Sequence, residues 1–314
     1  MRQRVRLTSL HLTPPKILHL RVKSKVRIRK RNDMDIKFST GVIAFILALN
    51  LSTMNVFAGK PKYIEDEVSS GGSISGTVKY KGPPKDVRID LMKEKNGETC
   101  SKHPEAKDGV RFDRKILSPN GWLQNAVVFI ENIEHGKTWG TNYGGTEGGE
   151  SGFTRFHFKN CGISPPITVV RKTGKGEKTG NLTVTTHDGG VLHNPIGYLV
   201  SGASRKVLFN KPLSSEVLVA DATTSLKRLK RKDKHFFLQC GQHNYMEAEA
   251  RIVWNPYFFI TDANGSFQLD QIPAGKYKVT AWHPYAGEHT QEIVVSEETE
   301  TIANFTVKAE NLQR

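Results

Sequence analysis

The residues best equipped for chemistry lie in the stretch FFLQCGQHNYMEAEARIV, residues 236–253, where Cys240, His243 and Met246 follow one another at intervals of three between two apolar runs. A thiolate, an imidazole and a thioether share one common use. Soft sulfur donors favour copper, and a trigonal His₂Cys set with a weak axial Met holds copper for one-electron transfer. Zinc also takes Cys and His but rarely a thioether. The set needs a second imidazole from elsewhere among the chain's eleven histidines. His193, in NLTVTTHDGGVLHNP, is the candidate; it follows an apolar run at 182–186 and a turn at Asp188-Gly189-Gly190. His187, His157 and His235 are rivals. His235 stands five positions before Cys240 on one strand, and odd separations point to opposite faces. His187 is the serious competitor.

The three cysteines are Cys100, Cys161 and Cys240. In an oxidising compartment they favour pairing, and an odd count leaves one thiol over. Cys240 has the nearby His and Met, so Cys100 and Cys161 are expected to pair; the alternative is that both are free. Compartment follows from MDIKFSTGVIAFILALNLSTMNVFAGK, which starts at Met34. Its short basic start, apolar stretch and small residues before Gly59 lay out a secretory signal over 34–58, implying a periplasmic or secreted protein. The apolar run falls short of the ~20 residues that span a bilayer, so no stable membrane insertion is expected after cleavage. Residues 1–33 read as a basic extension or an upstream mis-assigned start. They carry +10 of the net +15, leaving +5 on the remainder. That asymmetry removes most of the support for nucleic-acid binding.

The short runs rich in Val, Ile, Phe and Thr, punctuated by Gly and Pro, predict an all-β chain. At this point the pattern resembles a family. The segment CGISPPITVVRKTGKGEKTGNLTVTTHDGGVLHN with FFLQCGQHNYM is similar to the cupredoxins of plastocyanin and amicyanin type, over roughly 153–254. The resemblance implies a Greek-key β-sandwich and a copper cofactor held by His193, Cys240, His243 and Met246. It also implies that the Asn194 backbone N–H donates to the Cys240 sulfur, and that His243 is the ligand nearest the surface and the port for the electron. The chain departs from the family in the lengthened turn KTGKGEKTG, in THD before the first His region, and in Asn244-Tyr245 where a Pro is common.

The flanks carry a second pattern. GGSISGTVKYKGPP, LQNAVVFIENI and TDANGSFQLDQIPAGKYKVTAWH resemble the carboxypeptidase regulatory-like (transthyretin-like) β-sandwich. Neither flank is complete alone, so residues 72–134 and 255–308 are expected to form one sandwich with the cupredoxin inserted; modules in series are the alternative. In the split arrangement Ile74, Val78, Val127 and Phe129 should meet Phe267, Tyr277 or Val279. Asp262–Gly265 and Pro273–Gly275 read as turns, the first of hairpin type. The segment 135–152 holds seven glycines between 136 and 152 and reads as a linker.

The expected function is an exported type 1 copper protein that carries single electrons and is not a catalyst. Its partner would be another redox protein, acidic or a cytochrome. Lys227, Arg228, Lys230, Arg231, Lys232 and Lys234 are candidates for docking it, or form a solvated edge. The competing classes are copper storage or delivery, and a carbohydrate- or protein-binding sandwich with a vestigial copper loop and Trp282, His283 and Tyr285 as its platform.

Overall fold

The strand that ends at Cys240 turns one face, Phe236, Leu238 and Cys240, into an apolar core. In the computed structural model, which describes residues 62–139 and 153–309, His235–Cys240 is the middle strand of a five-stranded sheet. The order is Ser204–Asn210, Pro195–Ser201, His235–Cys240, Glu247–Val253 and Ile167–Arg171. A four-stranded sheet faces it, ordered Val219–Asp221, Leu182–Thr186, Thr154–Lys159 and Gly162–Ser164. Phe236, Leu238 and Cys240 point inward to meet Phe156, Phe158, Leu182 and Val184 in one core. Phe156 and Phe236 stack across it with centroids 6.3 Å apart. Burying a side chain of this size contributes about 1.5–3 kcal/mol, which fixes the register of both sheets.

The expected leader, the basic extension and residues 140–152 of the Gly-rich linker lie outside the described residues. Among the described residues no helix is long and apolar enough to cross a membrane.

The second pair of sheets joins strands from both ends of the chain. Gly72–Lys81 pairs antiparallel with Ser266–Ile272 and parallel with Glu300–Ile302 and Phe305–Lys308. Val127–Ile130 pairs with Phe258–Ile260 and Gly275–His283, and the latter with Gly287–Val295. Gly76 is required here: a Cβ would lie 1.8 Å from the Ala303 carbonyl oxygen. Ile74, Val78, Phe267, Tyr277 and Val279 share a core with Val128 and Ile130. Val127 and Phe129 do not join it. They turn to the other face, against Ile167, Val169, Val253 and Trp282, and so line the contact between the two pairs of sheets. The run VVFI is buried throughout, so its sequence holds no alternation from which parity could be read.

The turn at Asp262–Gly265 also differs from expectation. It joins Phe258–Ile260 to Ser266–Ile272, which lie in different sheets, so it is an arch and not a hairpin. Local turn chemistry is the same in both cases: Asp262 Oδ1 accepts from the N–H groups of Asn264 and Ser266.

One excursion ties the two pairs of sheets together. Asp86–Asp90 and Val110–Arg114 form a hairpin-like pair, and between them the chain makes two short helical turns, Leu91–Lys93 and Gly97–Cys100. Ile89, Leu91 and Cys100 pack into the core that holds Cys240. Cys100 and Cys161 form a disulfide with Cα atoms 5.3 Å apart.

Candidate metal centre

The backbone gathers the candidate ligands at one end of the five-stranded sheet. Cys240 closes its strand opposite Pro195. The Met246 carbonyl accepts from the Cys240 N–H at 3.1 Å, and the His243 carbonyl from the Met246 N–H at 2.9 Å, which folds 240–246 into a tight loop. The Gly241 N–H donates to the Asn194 carbonyl at 2.8 Å, and the His193 carbonyl accepts from Leu213 at 2.9 Å. His193, Cys240, His243 and Met246 are all buried.

Three donor atoms converge. Cys240 Sγ lies 3.6 Å from Nδ1 of His193 and 3.6 Å from Nδ1 of His243. With metal–sulfur bonds of ~2.3 Å and metal–nitrogen bonds of ~2.0 Å, a tetrahedral to trigonal centre separates sulfur from nitrogen by ~3.5–3.7 Å. The residues therefore fit a bound ion. Met246 belongs to the same buried cluster as Cys240. The Asn194 N–H points to Sγ at 3.5 Å.

The outer ring nitrogens explain why both Nδ1 lone pairs face the sulfur. His193 Nε2 lies 3.0 Å from Asp188 Oδ2, and His243 Nε2 lies 3.0 Å from Asn96 Oδ1. An oxygen acceptor at Nε2 holds the proton there and leaves Nδ1 as the donor atom for a metal. Asp188 is itself fixed by the backbone N–H groups of Asn160 and Cys161.

Without a metal these contacts organise charge. Burial lowers the His193 imidazole's basicity, but Asp188 and Cys240 outweigh it and raise the ring to about 9. Burial raises the Cys240 thiol, but His193, His243 and the backbone N–H groups bring it down to about 5. Asp188 is lowered against its own burial by His193 and by the backbone N–H groups of Cys161 and Asn160. The site thus favours a thiolate, the form that ligates metals.

Asp188 and Asn96 are the positions that sequence reasoning missed. Asp188 was visible only as a turn residue before Gly-Gly. Asn96 stands 147 residues from His243 on the 86–114 excursion, and no spacing connects them. That excursion covers the ligand loop. Lys95 Nζ donates to Gln242 Oε1, and Arg111 lies over the Tyr245 ring at 5.6 Å. His243 is consequently only 1% exposed, and the expectation that it forms a surface port is corrected: the 86–114 excursion sits where the port should open.

The other expected residues separate as follows. His187 bonds to His157, and His235 bonds to Glu249 and packs edge-on against Trp282. Trp282, His283 and Tyr285 are buried, so they offer no surface platform. Lys227 and Arg228 end the turn Thr223–Arg228, and Lys230, Arg231, Lys232 and Lys234 follow in the loop before His235. They lie at the end of the ligand strand away from Cys240, about 17 Å along it by strand rise.

No family model and no curated protein matches the chain. Among solved structures there is a likeness to a reduced Cu(I) form of an amicyanin variant at pH 4, with TM-score 0.23 and 13% identity, covering 32% of this chain and 83% of that one. The site's geometry stands without it.

Proposed function

We propose that the protein is an exported one-electron carrier whose metal is copper, held by His193, Cys240, His243 and Met246. The carrying observation is Cys240 Sγ equidistant, at 3.6 Å, from two imidazole nitrogens whose outer nitrogens are both anchored. Copper bound here would supply one electron by cycling between Cu(II) and Cu(I). The chain's part is to hold its donors still. Asp188 and Asn96 fix the two rings, the Asn194 N–H steadies the sulfur, and the packed core excludes water. Small rearrangement between oxidation states is what a carrier needs.

Enclosure also weighs against copper delivery, since an ion under the Asn96 cover has no open position for handing on. The signal-like segment 34–58 supports export. The basic run supports steering of an acidic redox partner by long-range charge, an encounter-rate effect, because it stands away from the metal. We also read 153–254 as an insert in a sandwich built by 72–134 and 255–308, which the pairing of Gly72–Lys81 with Ser266–Ile272 supports. Excising 136–254 with a short Gly/Ser join should then leave a folded β protein; an unfolded product counts against the insertion.

Voltammetry of the copper-loaded chain tests the carrier reading. A reversible one-electron wave with full recovery over repeated cycles is expected. Irreversible behaviour with loss of copper on reduction would reject it.

A further inference from the structure

Two imidazoles outside the buried set lie within hydrogen-bond distance of each other. His157 Nδ1 and His187 Nε2 are 3.0 Å apart, with ring centroids at 5.2 Å and planes inclined by 33°. Their backbones are held on two neighbouring, hydrogen-bonded segments. His157 stands on Thr154–Lys159, paired with Thr185 on one side and Ser164 on the other. His187 follows the end of the Leu182–Thr186 strand, and its N–H donates to the Phe158 carbonyl at 2.8 Å.

We propose that His157 and His187 form a second metal site at the surface, for a divalent transition ion that prefers imidazole, of which Cu(II) is the best fit. Two metal–nitrogen bonds of ~2.0–2.1 Å at a right angle separate their nitrogens by ~2.9 Å. That is the adjacent-position spacing of a tetragonal centre, the geometry Cu(II) favours. His187 is exposed and His157 half-buried, so water completes the sphere. The site shares no donor with His193, Cys240 and His243.

Burial, with the neighbouring His187 and Arg155, holds the His157 imidazole below its ordinary basicity. The charge of Arg155, two residues away on the same face, also opposes a bound cation. The surface pair should therefore bind more weakly than the buried set.

The test is titration of the full chain with Cu(II), followed by electron paramagnetic resonance. Wild type and Cys240→Ser should both develop a tetragonal copper signal with two-nitrogen splitting. His157→Ala and His187→Ala should each weaken that signal's binding by about tenfold or more, as losing a ligand should cost at least what losing an outer partner does. His187→Gln, which can keep a hydrogen bond to His157 but supplies no imidazole, should weaken it equally. Retention of the signal in either alanine variant means an adventitious ion on another histidine and overturns the proposal, as does full retention in His187→Gln. Failure of the buried site reads differently: it would remove the intense visible band while leaving this signal dependent on His157 and His187.

Discussion

His243 Nε2 and Asn96 Oδ1 are 3.0 Å apart although 147 residues separate them and Asn96 lies on the 86–114 excursion, outside the five-stranded sheet that leads into the ligand loop. The contact makes the 86–114 excursion part of the metal centre. Asn96 adopts a left-handed backbone, φ 59°, which Asn and Gly tolerate and most residues do not. Asn96→Gly therefore removes the amide without straining the turn. Loss of an outer partner to a ligating His typically costs 10–100-fold in metal affinity. We expect about that loss of copper affinity in competition with a chelator, and faster reduction by small soluble reagents as the ring edge opens. Unchanged affinity and unchanged reduction rate would show that Asn96 only fills space.

The Cys100–Cys161 disulfide holds that excursion against the ligand-bearing core. It closes a span of 61 residues, for which the chain-entropy relation gives about 4 kcal/mol of stabilisation through the unfolded state. Cys100→Ala with Cys161→Ala should lower the unfolding free energy by roughly 2–5 kcal/mol in urea titrations. The double variant should also loosen the Asn96 cover, so hydrogen exchange at 96–100 should accelerate more than exchange in the Phe236 strand. Equal protection in both segments would separate the disulfide from the site.

The metal-free protein should have a one-sided pH response from His193 and Cys240. His193 is raised from 6.5 to about 9, so its contribution is complete below 6.5 and lost as pH rises through about 9. Cys240 is lowered from 9.0 to about 5, so its contribution is complete above 9.0 and lost as pH falls through about 5. Between 6.5 and 9 the two slopes cancel. Stability should thus climb from pH about 5 to about 6.5 and then hold. The difference in urea midpoint between wild type and Cys240→Ala across that range checks this. A difference that shrinks as pH rises from 5 would have the wrong sign.

The parts of the site within one loop were legible in the sequence, because Cys240, His243 and Met246 share a strand end and spacing alone brings them together. His193 was legible as the end of another strand in the same core, though His187 competed with it until the folded chain paired His187 with His157. Asn96 was not legible, since its contact depends on how a distant excursion packs. Val127 and Phe129 were misplaced for a different reason: a strand buried on both faces carries no alternation. The Asp262–Gly265 arch was misread because a turn's residues set its local bend and not the sheet to which the next strand goes.

The central claim is that the Cys240 sulfur binds copper, and the visible absorption spectrum of the copper-loaded protein tests it most directly. Wild type should show an intense thiolate-to-copper charge-transfer band. Met246→Leu should keep that band, because a thioether is a weak donor, while Cys240→Ser should lose it, because an alcohol is a hard and barely acidic donor. A Cys240→Ser protein that retained the full band would contradict the account.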